Sequence, residues 1–326
     1  MRKTVHLCLS SHDEVLFRSE ADLNMGFNCL AVAVLETESR LMAEGMMSTH
    51  YHILLQTDNY KEMMRRMRFA YTRYFGAKYS RRGKFGERQY FTLTVEGLYH
   101  TVAALNYVLR QGLHHGMATT PFEYPHCSVN TIFRCALGKT VSPPLMSSAG
   151  RAKYLPSNVR VPESYRMGKN GLLLREDIVD VAYVEEIYIN PRSFLFHMNR
   201  VMSEEDFRRQ HQENDTPPVT METIETGVYG FSLLEAKVFE QGRVDRSRMT
   251  DLELCEVIDN RILPRLLKEN QRASIYQLPE SRRADIANVL WKECRESKWR
   301  QAANGFLSGK VVTEQQLRRC LALCSS

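Results

Sequence analysis

Two histidines one residue apart, His50 and His52, stand in a run that ends in Ile53-Leu54-Leu55 and is typical of a β-strand. Alternate side chains of a strand point to the same face, so both imidazoles project from one surface. Two neutral imidazoles on one rigid strand provide two ligands of a divalent-metal site. On the pair alone, a plain strand face carrying two half-exposed histidines remains an open alternative.

A tyrosine and a glutamine, Tyr107 and Gln111, lie four residues apart in a segment that is predicted to be helical over 95–111. This spacing places both side chains on one helical face, one turn apart. A phenol has a reference pKa of about 10 and is a weak nucleophile at neutral pH. Beside a divalent cation its attack on a phosphate becomes feasible, because the metal polarises the phosphate. The Gln111 carbonyl would be a third, neutral ligand to Mg²⁺ or Mn²⁺, with water or phosphate oxygens completing the shell.

The elements that must position these residues follow from the apolar periodicity of the first 130 residues. Strands are predicted at 4–9, 40–47, 50–57 and 90–95, and helices at 20–38, 60–79 and 95–111. The order β-α-β-β-α-β-α predicts an α+β fold with a ferredoxin-like split βαβ sheet in a domain over residues 1–130. A mostly helical C-terminal region is expected to follow.

The rest of the chain divides at two polar stretches. Residues 131–218 are predicted to form a linker and accessory region, with helices at 176–188 and 193–212, and 219–326 a helical domain. Short helical runs at 280–295, 297–304 and 313–323 resemble a helix-turn-helix within 278–323. Its candidate residues are Lys310, Thr313, Gln316, Arg318 and Arg319. A trihelical packing or dimerisation unit is the alternative.

Positive charge is concentrated between residues 61 and 88. This segment carries ten basic residues against two acidic ones, an excess larger than the +6 net charge of the whole chain. Basic side chains pair with phosphates, and the aromatics between them either stack on unpaired bases or pack in the core. The predicted nucleic-acid-binding residues are Arg65, Arg66, Arg68, Arg73, Arg81, Arg82, Lys84 and Arg88. A solvated basic helix face is the alternative.

Cysteine usage and hydropathy point to an intracellular, cytoplasmic protein. The eight cysteines form no Cys-x-x-Cys pair, so reduced thiols are expected rather than a zinc ribbon. The segment after Met1 is too short and polar for a secretory leader, and no stretch is apolar enough for a membrane span. No membrane partner is therefore expected.

Five motifs in order resemble the single-tyrosine HUH transposases, which include insertion-sequence and REP-associated tyrosine transposases. The resemblance covers about residues 4–128. The motifs are the two-histidine strand, the helix MRRMRFAYTRYF, the segment GKFGERQY, Tyr107-Val108, and Gly116-Met117 leading to FEYP. Two positions depart from the family pattern, since Ser48-Thr49 stands where Pro-Asn is usual and Gly112 where proline follows the amide.

The resemblance implies that His50, His52 and Gln111 hold a divalent metal. It also implies that Tyr107 attacks single-stranded or hairpin DNA to form a 5′-phosphotyrosine. A non-catalytic, domesticated DNA-binding protein and a replication initiator or relaxase are the alternatives, and a homodimer is left open. The sequence Tyr188-Ile189-Asn190-Pro191 imitates the tyrosine motif, but the residue four before Asn190 is Glu186. Leu54 stands where a nucleotide hydrolase with three alternating histidines would need its third.

Overall fold

The computed structural model describes residues 2–139, 142–156, 159–199, 244–266, 274–297 and 305–323. The fold is α+β, as predicted. Its centre is one antiparallel sheet of four strands in the order β2-β3-β1-β4. The strands are β1 (Lys3–Ser10), β2 (Arg40–Met46), β3 (His50–Thr57) and β4 (Phe91–Val95). All four predicted strands are therefore present, within a residue of their predicted bounds.

Helices α1 (Glu20–Glu36) and α2 (Tyr60–Tyr79) pack together on one face of this sheet. Each begins at a polar cap, because the side chains of Ser19 and Asn59 accept hydrogen bonds from first-turn backbone amides. Helix α1 is buried on almost every side, which agrees with its apolar run over residues 29–35. The first hydrophobic core lies between these helices and the sheet.

Helix α3 (Leu98–Leu109) covers the opposite face and contacts β2, β3 and β4. The prediction of one continuous helix over 95–111 was wrong. The helix leaves regular geometry at Arg110, and a separate short helix, α4 (Gln111–His114), follows. Gly112 accounts for the tight packing at this junction, since a Cβ there would lie 2.2 Å from the Cβ of Tyr124. The break therefore accommodates the later segment that crosses it.

The segments after residue 120 close the β2 edge of the sheet. Gly45 of β2 pairs with Cys127, and Leu41 pairs with Val179, so backbone groups at this edge are satisfied by distant parts of the chain. Short helices follow at α5 (Ser148–Arg151), α6 (Val181–Tyr188) and α7 (Pro191–Asn199). The helix predicted at 176–188 begins only at Val181, where Asp180 caps it. The part of the second predicted helix beyond Asn199 lies outside the described residues.

A separate hydrophobic core is formed by the C-terminal helices, here called the C-terminal unit. They are α8 (Asp251–Val257), α9 (Leu263–Leu266), α10 (Glu280–Ser297) and α11 (Glu314–Cys320), and Val15 packs among them. A π-helical turn, Ile258–Ile262, joins α8 to α9. The helical runs predicted at 280–295 and 313–323 are present, whereas the run at 297–304 lies outside the described residues except for Ser297. None of the helices in the described ranges is long and apolar enough to cross a membrane.

Candidate functional site

His50 and His52 lie on the sheet face that α3 covers. His52 stands between Cys8 of β1 and Gly45 of β2 in the strand register. Both side chains are buried on this face, since His50 is 4% exposed and His52 is fully buried. The strand periodicity therefore predicted their common face correctly, but not their burial. Two imidazoles whose rings are 5.1 Å apart meet beneath the helix.

Tyr107 and Gln111 meet the two histidines from above. The Gln111 Oε1 atom lies 3.3 Å from Nε2 of His50. Its amide nitrogen donates to the Tyr107 carbonyl at 3.1 Å, which fixes the orientation of the side chain across the helix break. The Tyr107 ring stands edge-on to the His52 ring with centroids 4.9 Å apart. The four predicted residues thus converge, although Gln111 belongs to α4 rather than to the tyrosine helix.

Glycine at position 45 makes this approach feasible. A Cβ on Gly45 would lie 2.9 Å from the Val108 carbonyl oxygen and 3.1 Å from Cγ of Gln111. Any larger residue would push the tyrosine helix and the amide away from the strand. The close contact between strand and helix therefore depends on one residue of β2 that carries no functional group.

In both histidines, Nδ1 lies beside a polar atom of another residue. The Thr49 hydroxyl lies 3.1 Å from Nδ1 of His50. Nε2 of His6 lies 3.1 Å from Nδ1 of His52, and both rings are fully buried. On the opposite side of the His52 ring, Sγ of Cys8 lies 3.9 Å from Nε2. In both histidines Nδ1 thus lies beside a polar neighbour, so Nε2 is the nitrogen that a metal ion would bind.

Two further imidazoles extend the cluster. The His115 ring lies 4.7 Å from that of His50, and the His114 ring lies 6.0 Å from that of Tyr107. The sequence analysis missed these residues and also His6. His6 and Cys8 alternate along β1 as His50 and His52 do along β3, and this pattern could have identified His6.

Burial keeps these imidazoles neutral. It lowers the pKa of His50 to about 4, against the opposing effect of the Gln111 hydrogen bond. Burial likewise lowers the pKa of His6 and of His114 to about 3. The pKa of His52 falls well below its usual value for the same reason, reinforced by the nearby His50. Neutral imidazoles are the form that binds metal ions, and their lone pairs are available at neutral pH.

The donor set of His50, His52 and Gln111 fits a small divalent cation. Neighbouring ligands of an octahedral ion at about 2.1 Å lie about 3 Å apart, close to the 3.3 Å between His50 Nε2 and Gln111 Oε1. Within the described residues no group of three or more His, Cys, Asp and Glu side chains is arranged for metal binding. A site built here must therefore include the neutral glutamine oxygen.

The C-terminal unit is anchored beside this site. The Ser48 hydroxyl donates to Asp251 at 2.7 Å, two residues before His50. Asp251 also accepts from Gln316 at 3.1 Å and from Arg319 at 3.3 Å. Arg18, fully buried, pairs with Asp259 at 2.7 Å and donates to the Cys320 carbonyl. Ser48 and Thr49 are therefore both hydrogen-bonded beside the two histidines.

The predicted helix-turn-helix residues have mixed surroundings. Gln316 and Arg319 face inward to Asp251, and Thr313 caps α11. Lys310 pairs with Glu253, and Arg318 lies 3.7 Å from Glu314. Gln316 and Arg319 thus bind an aspartate of the C-terminal unit itself, the same aspartate that accepts the Ser48 hydrogen bond.

The eight predicted DNA-binding residues also divide. Arg65 and Arg66 pair with Glu62 on α2, and Arg81 pairs with Glu14. The Arg68 guanidinium donates to the carbonyls of Phe85 and Glu87 and so holds the following loop. The exposed members are Arg65, Arg73, Arg82, Lys84 and Arg88.

The aromatics of the same segment mostly serve the core. Tyr71, Phe75, Tyr79 and Phe85 are buried, and only Phe69 is largely exposed, at 60%. Arg73 lies over the Phe69 ring at 5.8 Å. Tyr188, which belongs to the sequence that looks like the tyrosine motif, is fully buried, and its hydroxyl donates to Asn106 at 2.7 Å.

Comparison with known proteins adds little to this geometry. No protein-family model matches the chain, and no curated protein matches it. Among solved structures, a REP-associated tyrosine transposase bound to a REP hairpin is similar at 11% identity, over 43% of this chain and 82% of that chain, with a TM-score of 0.35. At this level the likeness carries no argument about function, so any assignment depends on the site itself.

Proposed function

We propose that this protein is a metal-dependent single-stranded DNA endonuclease and strand transferase that uses Tyr107 as its nucleophile. The observation that carries the proposal is the convergence of four side chains from three elements, β3, α3 and α4. The Tyr107 ring lies 4.9 Å from that of His52, and Gln111 bonds toward His50 at 3.3 Å. A phenol beside two neutral imidazoles and an amide oxygen is suited to nucleophilic attack on a phosphodiester.

The surrounding architecture supports the same proposal. The strand order β2-β3-β1-β4 is the order that two split βαβ crossovers produce, and we interpret the sheet as ferredoxin-like. Residues 1–130 would then be the catalytic domain, 131–218 an accessory region, and 219–326 a helical domain. We interpret the C-terminal unit as a helical module that is hydrogen-bonded to the site region rather than as a separate DNA-binding domain.

His50, His52 and Gln111 would hold Mg²⁺ or Mn²⁺, which when bound would polarise the scissile phosphate. The Tyr107 oxygen then attacks phosphorus and forms the phosphotyrosine bond, while the bond from phosphorus to the 3′-oxygen breaks. The phenolic proton passes to water, and water supplies a proton to the departing 3′-oxygen, so a free 3′-OH remains. Nδ1 contacts from Thr49 and His6 keep both imidazoles oriented while this happens.

Single-stranded or hairpin DNA is the substrate that the basic segment suits. Arg82, Lys84 and Arg88 are exposed on the loop between α2 and β4 and would contact the backbone. Arg73 with Phe69 offers a cation beside an exposed ring on α2, which would suit an unpaired base.

A non-catalytic DNA-binding role is the second candidate, and one observation favours it. Tyr107 is only 1% exposed, and the C-terminal unit is bonded beside His50 through Ser48 and Asp251. In the arrangement described, a strand cannot reach the phenol. An active enzyme must therefore open this region when DNA binds.

A covalent-adduct assay tests the proposal. Full-length protein is incubated with labelled single-stranded DNA carrying hairpins, with Mn²⁺ or with EDTA, and is analysed under denaturing conditions. We expect a Mn²⁺-dependent adduct that Tyr107→Phe abolishes, whereas the matched control Tyr99→Phe retains it. An adduct that survives Tyr107→Phe would eliminate the assigned nucleophile. Retarded migration on native gels without any adduct across a wide hairpin set would favour the second candidate.

A further inference from the structure

Packing alone does not explain why the fully buried position 6 on β1 is a histidine. Its neighbours in the strand register are Leu54 of β3 and Leu93 of β4, so an apolar side chain would suit the position. Its Nδ1 atom has no hydrogen-bond partner among the described residues. Burial of an unpaired imidazole nitrogen destabilises the fold, because the atom loses its hydrogen bonds to water and gains none in return. Stability alone would therefore favour leucine at position 6.

The polar contact that His6 does make is directed at a metal-ligand candidate. Its Nε2 atom lies 3.1 Å from Nδ1 of His52, and the two rings are nearly parallel, with 14° between their planes. A neutral imidazole has one protonated nitrogen and one with a lone pair. When Nε2 of His52 gives its lone pair to a cation, the proton must sit on Nδ1, and that N–H needs an acceptor.

Metal-binding histidines commonly donate this second N–H to a carboxylate, a carbonyl or water. For His50 the Thr49 hydroxyl stands in that position, at 3.1 Å from Nδ1. For His52 the corresponding neighbour is an imidazole on a different strand. Cys8, on the other side of the ring, is 3.9 Å from Nε2 and is therefore not the partner of Nδ1.

We propose that His6 is a positioning residue for the metal site. It accepts the Nδ1–H hydrogen bond of His52 and so presents Nε2 of His52 to a divalent cation. This role rests on the proposed metal site, and His6 itself touches neither the metal nor the DNA. The unsatisfied Nδ1 of His6 is then the cost of holding His52 in one tautomer and one ring orientation.

Mn²⁺ titration of the full-length protein by calorimetry or electron paramagnetic resonance tests this role. His6→Leu removes the acceptor and should weaken Mn²⁺ binding about 10- to 100-fold, the usual effect of losing an outer partner of a ligand. His6→Gln places an amide oxygen within reach of His52 Nδ1 and should restore affinity to within a few-fold. His126→Gln is the control, because His126 is also buried but bonds to Glu20 instead.

The outcomes separate the two levels of the proposal. Wild-type affinity in His6→Leu, or equal weakening in both His6 variants, overturns the role of His6 while the metal site stands. If the wild-type protein binds no Mn²⁺, or if His52→Ala binds Mn²⁺ as tightly as wild type does, the proposed metal site itself is wrong. Thermal unfolding accompanies each titration, and we expect His6→Leu to be no less stable than wild type, which separates lost binding from lost folding.

Discussion

Acidification should destabilise this protein strongly between pH 7.5 and 5.5, because its site is built from buried neutral imidazoles. The pKa values of His6 and His114 are lowered to about 3, and that of His50 to about 4, from an ordinary value of 6.5. A lowered folded-state pKa means that the unfolded chain binds more protons in this range. The stabilisation is therefore complete above the unfolded pKa and is lost as the pH falls below it.

The size of the loss follows from proton linkage. At pH 5.5 an unfolded imidazole is about nine-tenths protonated while these folded ones are almost unprotonated, which amounts to about 1.3 kcal/mol per histidine relative to pH 7.5. His6, His50 and His114 together give about 4 kcal/mol. The pKa values of His52 and His115 are also lowered by burial, and they act in the same direction. This is a large part of a typical stability of 5–15 kcal/mol.

Urea unfolding at both pH values, in EDTA, measures this loss as the change in the extrapolated free energy of unfolding. His6→Leu isolates one imidazole, since all other titrating groups are retained. Its pH-dependent loss should be smaller than that of wild type by about 1.3 kcal/mol. Equal free energies of unfolding at pH 7.5 and 5.5 in wild type, or an unchanged loss in the variant, would refute the assignment of these histidines as buried and neutral.

Three further substitutions test the packing and charge arguments, the first two by urea unfolding and the third by limited proteolysis. Gly112→Ala forces a Cβ to within 2.2 Å of the Tyr124 Cβ and should destabilise by about 1–3 kcal/mol; an unchanged midpoint would show that Tyr124 moves freely. Arg175→Met leaves Glu44 buried without its 2.6 Å partner and should cost about 3–5 kcal/mol, whereas adding Glu44→Leu should recover most of the loss; a double variant as unstable as the single one would contradict this. Asp251→Ala removes the acceptor of Ser48 and should accelerate proteolysis of the C-terminal unit, an effect that Ser48→Ala should reproduce in part; unchanged cleavage would show that the anchor is dispensable.

Several features of the site could be predicted because they depend on local periodicity. Alternation along β3 places His50 and His52 on one face whatever the rest of the chain does. A spacing of four keeps Tyr107 near Gln111, and this survives the helix break because the Gln111 amide bonds to the Tyr107 carbonyl. The four strands, helices α1 and α2, and the α+β class follow from the same short-range patterns.

Other predictions failed or were incomplete because they depend on what meets a segment in space. The helix break at Arg110 reflects the crossing of Tyr124 over Gly112, a contact between residues twelve positions apart. The clustering of basic residues predicted Arg68 as a DNA contact, which stays a prediction, but gave no sign that its guanidinium binds loop carbonyls. A charged side chain satisfies whichever acceptors the fold brings near it, and sequence spacing does not specify these.

By itself, then, the sequence determined that two imidazoles share one strand face and that a phenol and an amide lie one helical turn apart, since strand and helix periods are properties of the local backbone. Only the tertiary structure decided that His6 of a different strand meets His52 and that Asp251, some two hundred residues away, meets Ser48. Burial of the cluster is likewise a collective result of sheet, helix and C-terminal unit. The physical reason is that desolvation and hydrogen-bond partners depend on all the elements packed around a residue.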